Sequence, residues 1–256
     1  MSARRDQHFL VDSRAIARIC DALRQSDRLV LEIGPGEGAL TRGLLDRGAR
    51  VNAVEIDPGL VEFLKRRFYD DIARGRLTVF QGDAVRCPLP PFQAVVSNLP
   101  YSASSKITFR LLAAGFEEAI LVYQEEFADR MAAPPGTPAC GRLSVMVQTY
   151  CTVERLFDIP PHSFSPPPPV RSAVVRLTPR GPLFPINSPE AYANTVRALF
   201  SHRRKTVRNA LRSAKGILPP AKIMTLLAEL PGEILVSRPE ELYLEDFATI
   251  ANLIAP

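Results

Sequence analysis

Apolar and polar residues along this chain alternate in short blocks whose period switches between helix and strand. From about residue 12 to residue 24, Ile16, Ile19, Cys20 and Leu23 recur at helical spacing behind Asp12 or Ser13, either of which can cap a helix. Residues 28–33 form an apolar run ending in Gly34-Pro35-Gly36-Glu37-Gly38, which reads as a strand and a turn. Leu40, Leu44 and Leu45 share one face of a second helix. Residues 50–55 read as a second strand, and Pro58 opens a third helix at the position proline favours. Further strands are predicted at 77–80, 93–97 and 119–123, with a helix at 104–114. Such alternation predicts an α/β fold with a mostly parallel sheet covered on both faces.

Beyond Cys140 the pattern changes. Residues 145–157 read as a helix leading into a strand, 160–169 as a stiff proline-rich loop, and 173–177 as a last strand. Pro179 to Pro185, with Gly181, marks a boundary. Everything after it reads as helix, at 188–200, 203–214, 219–229 and 240–254. The expected organisation is a sheet domain over 1–180 and a small all-α domain over 181–256.

Composition narrows the classes. The 256 residues are 46% hydrophobic and 23% charged, as in a globular enzyme, and the net charge of +5 suits an anionic partner. No apolar run approaches the roughly 20 residues a bilayer requires, so no membrane partner is expected. The tract Met1–Asp6 is polar and lacks a signal-peptide core, so cytoplasm is the expectation; the expected state is a monomer. Cys20, Cys87, Cys140, Cys151, His8, His162 and His202 are scattered without metal-ligand spacing, so no metal is expected.

The candidate chemistry falls at strand ends, where ligands bind in parallel sheets. The glycine turn at 34–38 lets a ligand approach the backbone, but its third glycine comes one residue early for a dinucleotide fingerprint. Glu37 in the same turn disfavours a pyrophosphate. Glu55 ends the second strand, where a carboxylate accepts bonds from ribose hydroxyls. Asp83, in Gln81-Gly82-Asp83-Ala84, can accept from an adenine amino group or close an Asx turn. Asn98-Leu99-Pro100-Tyr101 follows the apolar run 94–96. An amide oxygen there can accept from an exocyclic amine, the tyrosine can stack on its base, and proline stiffens the turn. An ordinary Asn-X-Pro turn is the alternative.

Taken with Gln7-His8-Phe9-Leu10, with Ser163-Phe164 and the prolines after it, and with the run from Ser201 to Leu211, these motifs resemble the small-subunit ribosomal RNA adenine N6-dimethyltransferase family. The resemblance spans nearly the whole chain. It implies a Rossmann-like, S-adenosylmethionine-dependent methyltransferase domain and a small subunit, or its rRNA, as partner. The donor site would comprise Gln7, His8, Leu10, Gly34, Gly36, Glu55, Ile56, Asp83, Ala84 and Asn98. The acceptor site would comprise Asn98, Leu99, Pro100, Tyr101 and Phe164, with Tyr101 and Phe164 sandwiching the base. The reaction implied is dimethylation of two adjacent adenosines near the 3′ end, with a role in subunit biogenesis. A large-subunit rRNA methyltransferase and a non-catalytic RNA-binding assembly or transcription factor are the alternatives on the same fold. Two positions depart from the family pattern: His8 stands where asparagine is frequent, and Pro169 where lysine is common.

Arg197, Arg203, Arg204, Lys205, Arg208 and Arg212 crowd one helical region. Arg204, Arg208 and Arg212, four residues apart, are expected on one face of a 203–214 helix, with Leu199, Phe200, Val207 and Leu211 packing behind. Such a face suits RNA phosphates. Arg4 and Arg5 would extend the basic track.

Overall fold

The computed structural model describes residues 7–25, 27–214 and 216–255. The polar tract Met1–Asp6, with Arg4 and Arg5, lies outside the described residues. Two compact units form, one from Met1–Ala128 and Thr152–Pro179, the other from Asp129–Cys151 and Arg180–Pro256.

In chain order the first unit contains β1 (Phe9–Leu10), α1 (Ser13–Asp21), β2 (Leu29–Ile33), α2 (Ala39–Leu45), β3 (Arg50–Glu55) and α3 (Pro58–Arg67). It continues with α4 (Tyr69–Ala73), β4 (Leu77–Gln81), β5 (Ala94–Asn98), α5 (Ser104–Ala114) and β6 (Glu118–Gln124). α6 (Glu125–Ala132) and α7 (Arg142–Tyr150) lead into β7 (Cys151–Ile159), followed by β8 (Phe164–Ser165) and β9 (Ser172–Pro179). The predicted helix starts are chemically real. Asp12 accepts from the Arg14 and Ala15 amides at the head of α1, and Asp57 accepts from those of Gly59 and Leu60 ahead of Pro58.

A seven-stranded sheet has the order β4-β3-β2-β5-β6-β9-β7. β4, β3, β2, β5 and β6 run parallel, and β9 returns antiparallel to β6. The fold is therefore α/β and Rossmann-like. Val30, Leu31, Val95, Val96, Ile120 and Leu121 are wholly buried, because a sheet covered on both faces cannot alternate apolar with polar. The chain runs from β2 outward through β3 and β4, then returns to β5 beside β2. That reversal is a topological switch point.

A second, two-stranded sheet was not evident in the periodicity. β1 pairs antiparallel with β8, setting Phe9 opposite Ser165 and Leu10 opposite Phe164. The proline-rich loop expected at 160–169 thus contains a strand.

The helical unit holds α7 with α8 (Pro189–Phe200), α9 (Val207–Ser213), α10 (Pro220–Glu229), α11 (Gly232–Val236) and α12 (Leu244–Ile254). Residues 129–151, expected in a 1–180 sheet domain, group with this unit instead. The reason is packing: Val145 and Val147 of α7 are wholly buried, and Thr149 Oγ1 lies 2.8 Å from the hydroxyl of buried Tyr192 on α8. The expected 203–214 helix is also corrected. Residues 201–205 form a turn, with the Lys205 amide donating to the His202 carbonyl, and α9 starts only at Val207. Among the described residues no helix is long and apolar enough to cross a membrane.

Candidate active site

The crevice at the switch point follows from how β2 and β5 part. Their register pairs Val30 with Ala94 and Leu31 with Val95. Further along, the Ile33 amide donates to Ser97 Oγ at 2.8 Å, so a side chain bridges the widening gap. Beyond it the chain turns through Gly34, Pro35 and Gly36 on one side and Asn98 to Tyr101 on the other. Gly36 has φ +57°, and a Cβ there would lie 2.7 Å from the Phe9 ring. β1 therefore lies directly on the glycine turn, a fit only glycine allows.

Two carboxylates stand behind this turn. Glu55, at the end of β3, is buried and accepts from the amides of Gly36 at 3.2 Å, Ile56 at 2.8 Å and Asp57 at 3.0 Å. Burial raises its pKa, while the three amide bonds oppose the shift. A carboxylate offers about four lone-pair positions, so one remains for a ligand hydroxyl. Ile56, beside it, is 54% exposed and presents an apolar side chain. Glu32, just before the turn, is wholly enclosed and accepts from Thr41 Oγ1 at 2.6 Å. Burial pushes its pKa up to about 8, against the Thr41 bond and with help from the Glu55 charge. Thr41 and Glu32 carried no recognisable motif as a pair.

At the end of β4, Asp83 closes an Asx turn by accepting from the Val85 amide at 2.8 Å. Its second oxygen lies 3.6 Å from Arg86 Nε, on a side chain that is 88% exposed. The two readings of Asp83 coexist: one oxygen folds the loop and the other faces outward with only a loose partner. Ala84, next in the chain, is buried.

The tetrapeptide after β5 is held from both sides. Asn98 Nδ2 donates to the His8 carbonyl at 3.0 Å. A carbonyl can only accept, so this bond fixes the amide's orientation and leaves Oδ1 as the free acceptor. Among the described residues that buried oxygen has no partner. An unpaired buried acceptor costs about 1–3 kcal/mol and marks where a donor is missing. The Tyr101 ring lies 5.5 Å from that of His8, and its hydroxyl is 2.8 Å from Ser172 Oγ. Burial raises its pKa. His8 Nδ1 in turn donates to the Pro166 carbonyl at 2.8 Å. Ser172 belongs to this site and had no motif to announce it.

The apolar members act as scaffold. Leu10, Leu99 and Phe164 are buried, and Leu10 and Phe164 sit in the same apolar core cluster. Pro100 packs near Gly34, 3.8 Å from where a Cβ would stand. Gln7 lies two residues before β1. The Tyr101 ring faces His8, while that of Phe164 lies in the core.

In the helical unit the basic residues divide. Arg203 is tied to Glu240 at 3.1 Å and to the Pro138 carbonyl, and Lys205 donates to Ser213 Oγ at 2.9 Å. Arg204 and Arg212 are exposed and Arg208 is half-buried. Arg208 and Arg212 share α9, but Arg204 precedes it.

The family model for ribosomal RNA adenine dimethylase matches residues 2–229. A probable ribosomal RNA small subunit methyltransferase A from Methanospirillum hungatei is 60% identical over 255 residues, covering 100% of both chains. A dimethyladenosine transferase from Plasmodium falciparum superposes with a TM-score of 0.76 at 28% identity, covering 95% of this chain and 96% of that one. The 23S rRNA methyltransferase ErmE gives a TM-score of 0.68 at 30% identity, over 97% of this chain and 100% of that one.

Proposed function

This chain belongs to the ribosomal RNA adenine dimethylase family and is a methyltransferase, and from that premise we propose that it dimethylates N6 of two adjacent adenosines near the 3′ end of small-subunit rRNA during subunit assembly. The observation that carries the reading is Asn98 Oδ1, a buried acceptor without a partner among the described residues, at the mouth of the switch-point crevice. The close relative is named for the small subunit, which favours that target over the large one.

The residues fit S-adenosylmethionine. Gly34 and Gly36 leave backbone open to its tail, Glu55 keeps an acceptor position for its ribose, Ile56 supplies an apolar wall, and the outer oxygen of Asp83 suits its adenine amine. Gln7, His8, Leu10 and Ala84 complete the enclosure. When bound, this donor supplies an electrophilic methyl group. No metal enters the reading.

The chain's own task is to aim a weak nucleophile. An adenine amine delocalises its lone pair into the ring. Asn98 Oδ1 accepts one amine hydrogen and the Leu99 carbonyl the other, which favours a tetrahedral nitrogen. The Asn98 amide cannot rotate away, because its Nδ2 is held by the His8 carbonyl. Positioning of this kind, rather than a strong base, lowers the barrier. Tyr101 offers a stacking face with its hydroxyl anchored on Ser172, and Pro100 keeps the turn stiff. Phe164 completes a sandwich only when its ring leaves the core. Arg204, Lys205, Arg208 and Arg212 meet phosphates, with Arg203 bracing their turn from Glu240.

The test is incubation with undermethylated small and large subunits together and labelled donor, then mapping of the product by mass spectrometry. Two adjacent N6,N6-dimethyladenosines near the 3′ end are expected. Label confined to large-subunit RNA, or none at all, overturns the proposal.

A further inference from the structure

The turn that carries Asp83 makes most of its hydrogen bonds to itself. The Val85 amide donates to Asp83 Oδ1, and the Arg86 and Cys87 amides both donate to the Asp83 carbonyl at 2.8 Å. A Cβ on Gly82 would stand 3.0 Å from Cys87 Sγ, so the turn is also wound tightly on itself. Local bonds of this kind fix the turn's shape but not its tilt. Two outside bonds supply that. The Gly82 amide donates to the Glu55 carbonyl at 2.8 Å, and Arg110 of α5 donates from Nη1 to the Ala84 carbonyl at 2.6 Å. The first is a backbone hinge at the end of β4. The second comes from a cationic side chain reaching across from a helix.

Arg110 is half-buried and lines a cavity of about 480 Å³ with Leu89, Pro90 and Phe92. The bond to Ala84 fixes the direction of its guanidinium. A guanidinium donating to a neutral carbonyl is a charge-assisted bond, among the stronger kinds. Without it the turn can swing on Gly82. Asp83 would then move with it, and its outer oxygen would lose its fixed direction.

We propose that Arg110 is a positioning residue for the methyl donor's adenine: through the Ala84 carbonyl it holds the outer oxygen of Asp83 where an exocyclic amine can donate to it. This inference rests on the donor site proposed above and adds a residue outside every motif at the strand ends.

Calorimetric titration of the full-length protein with S-adenosylhomocysteine, and with its analogue lacking the purine 6-amino group, tests it. Wild type should prefer the amino-bearing ligand. Arg110→Met, which keeps the length of the side chain, should bind S-adenosylhomocysteine on the order of tenfold more weakly, about 1.4 kcal/mol. It should bind the 6-deamino analogue as wild type does, so the preference collapses. Arg110→Lys, which can still donate to the carbonyl, should restore most of it. Unchanged preference in Arg110→Met, or equal loss of both ligands, overturns the assignment. Asp83→Ala is the control: if it loses the preference while Arg110→Met keeps it, the positioning role fails and the donor site stands. If Asp83→Ala also keeps it, the adenine side of the donor site itself is wrong. Should Arg110→Met not fold, Arg110→Leu takes its place under the same criteria.

Discussion

Replacing Asn98 by alanine separates catalysis from stability, because its two amide atoms contribute in opposite directions. Nδ2 donates to the His8 carbonyl, a bond that contributes about 1 kcal/mol. Oδ1 is buried without a partner, and removing it returns the cost of about 1–3 kcal/mol that its desolvation imposes. The freed His8 carbonyl offsets part of that return. The net change in stability should stay within about 1 kcal/mol, a melting shift of no more than roughly 4 °C for a chain of this size. Methyl transfer has no such compensation. Losing a preorganised group aimed at the reacting atom typically slows turnover by about 10²–10³. Single-turnover transfer to undermethylated small subunits, beside a thermal melt, gives both numbers. A rate within threefold of wild type would refute the acceptor role. So would a slow rate accompanied by a collapse in melting temperature, since Asn98 would then be acting as a brace.

Three further outcomes are expected. Gly36→Ala forces a Cβ into the Phe9 ring at a positive φ, so donor affinity should fall by at least tenfold while affinity for RNA holds; calorimetry that finds the donor bound normally would contradict the strap geometry. Glu32 is pushed up to about 8 by burial, whereas in the unfolded chain it ionises near 4.3, so the native state holds an extra proton between those values. The stability tied to Glu32 is therefore complete below about pH 4 and is lost as pH rises toward 8, at roughly 1.4 kcal/mol per unit. Glu32→Gln should melt like wild type at pH 5 and above it at pH 9; equal melting at both would show that Glu32 does not carry the proton. Arg204→Glu with Arg212→Glu should flatten the salt dependence of small-subunit binding by roughly one unit of slope per lost phosphate contact; an unaltered slope would remove these residues from the interface.

The parallel part of the sheet was legible because its strands are buried on both faces and end in turns with distinctive chemistry. Gly34, Glu55, Asp83 and Asn98 could each be placed at a strand end from local pattern alone. What stayed hidden depends on long-range contacts. β1 and β8 have two residues each, too short for any period, and their pairing joins segments about 155 positions apart. The basic helix was overextended because charge spacing every four residues continues through the turn at 201–205, while the burial of Val207, Ala210 and Leu211 sets the true start. Segment 129–151 looked like more of the sheet domain because α7 runs straight into β7. Only the partner of Thr149, Tyr192 of α8, reveals where it packs.

The same long-range contacts explain why so many site residues meet through main-chain atoms. Asn98 is oriented by the carbonyl of His8, Gly36 donates its amide to Glu55, and Asp83 is tilted through the carbonyl of Ala84. A carbonyl or amide offers one fixed direction and does not change with the side chain it belongs to. His8 can therefore hold Asn98 whatever side chain it carries. Its ring then adds contacts of its own, with Tyr101 on one side and the Pro166 carbonyl on the other. β1 and His8 just before it thus touch the glycine turn through Phe9, the acceptor amide through His8 and the loop of Phe164 through Leu10. A strand of two residues that reaches both the donor side and the acceptor side cannot shift without disturbing both. Substitutions that loosen β1 should therefore alter donor affinity and transfer rate together, whereas Asn98→Ala should lower the rate far more than donor affinity.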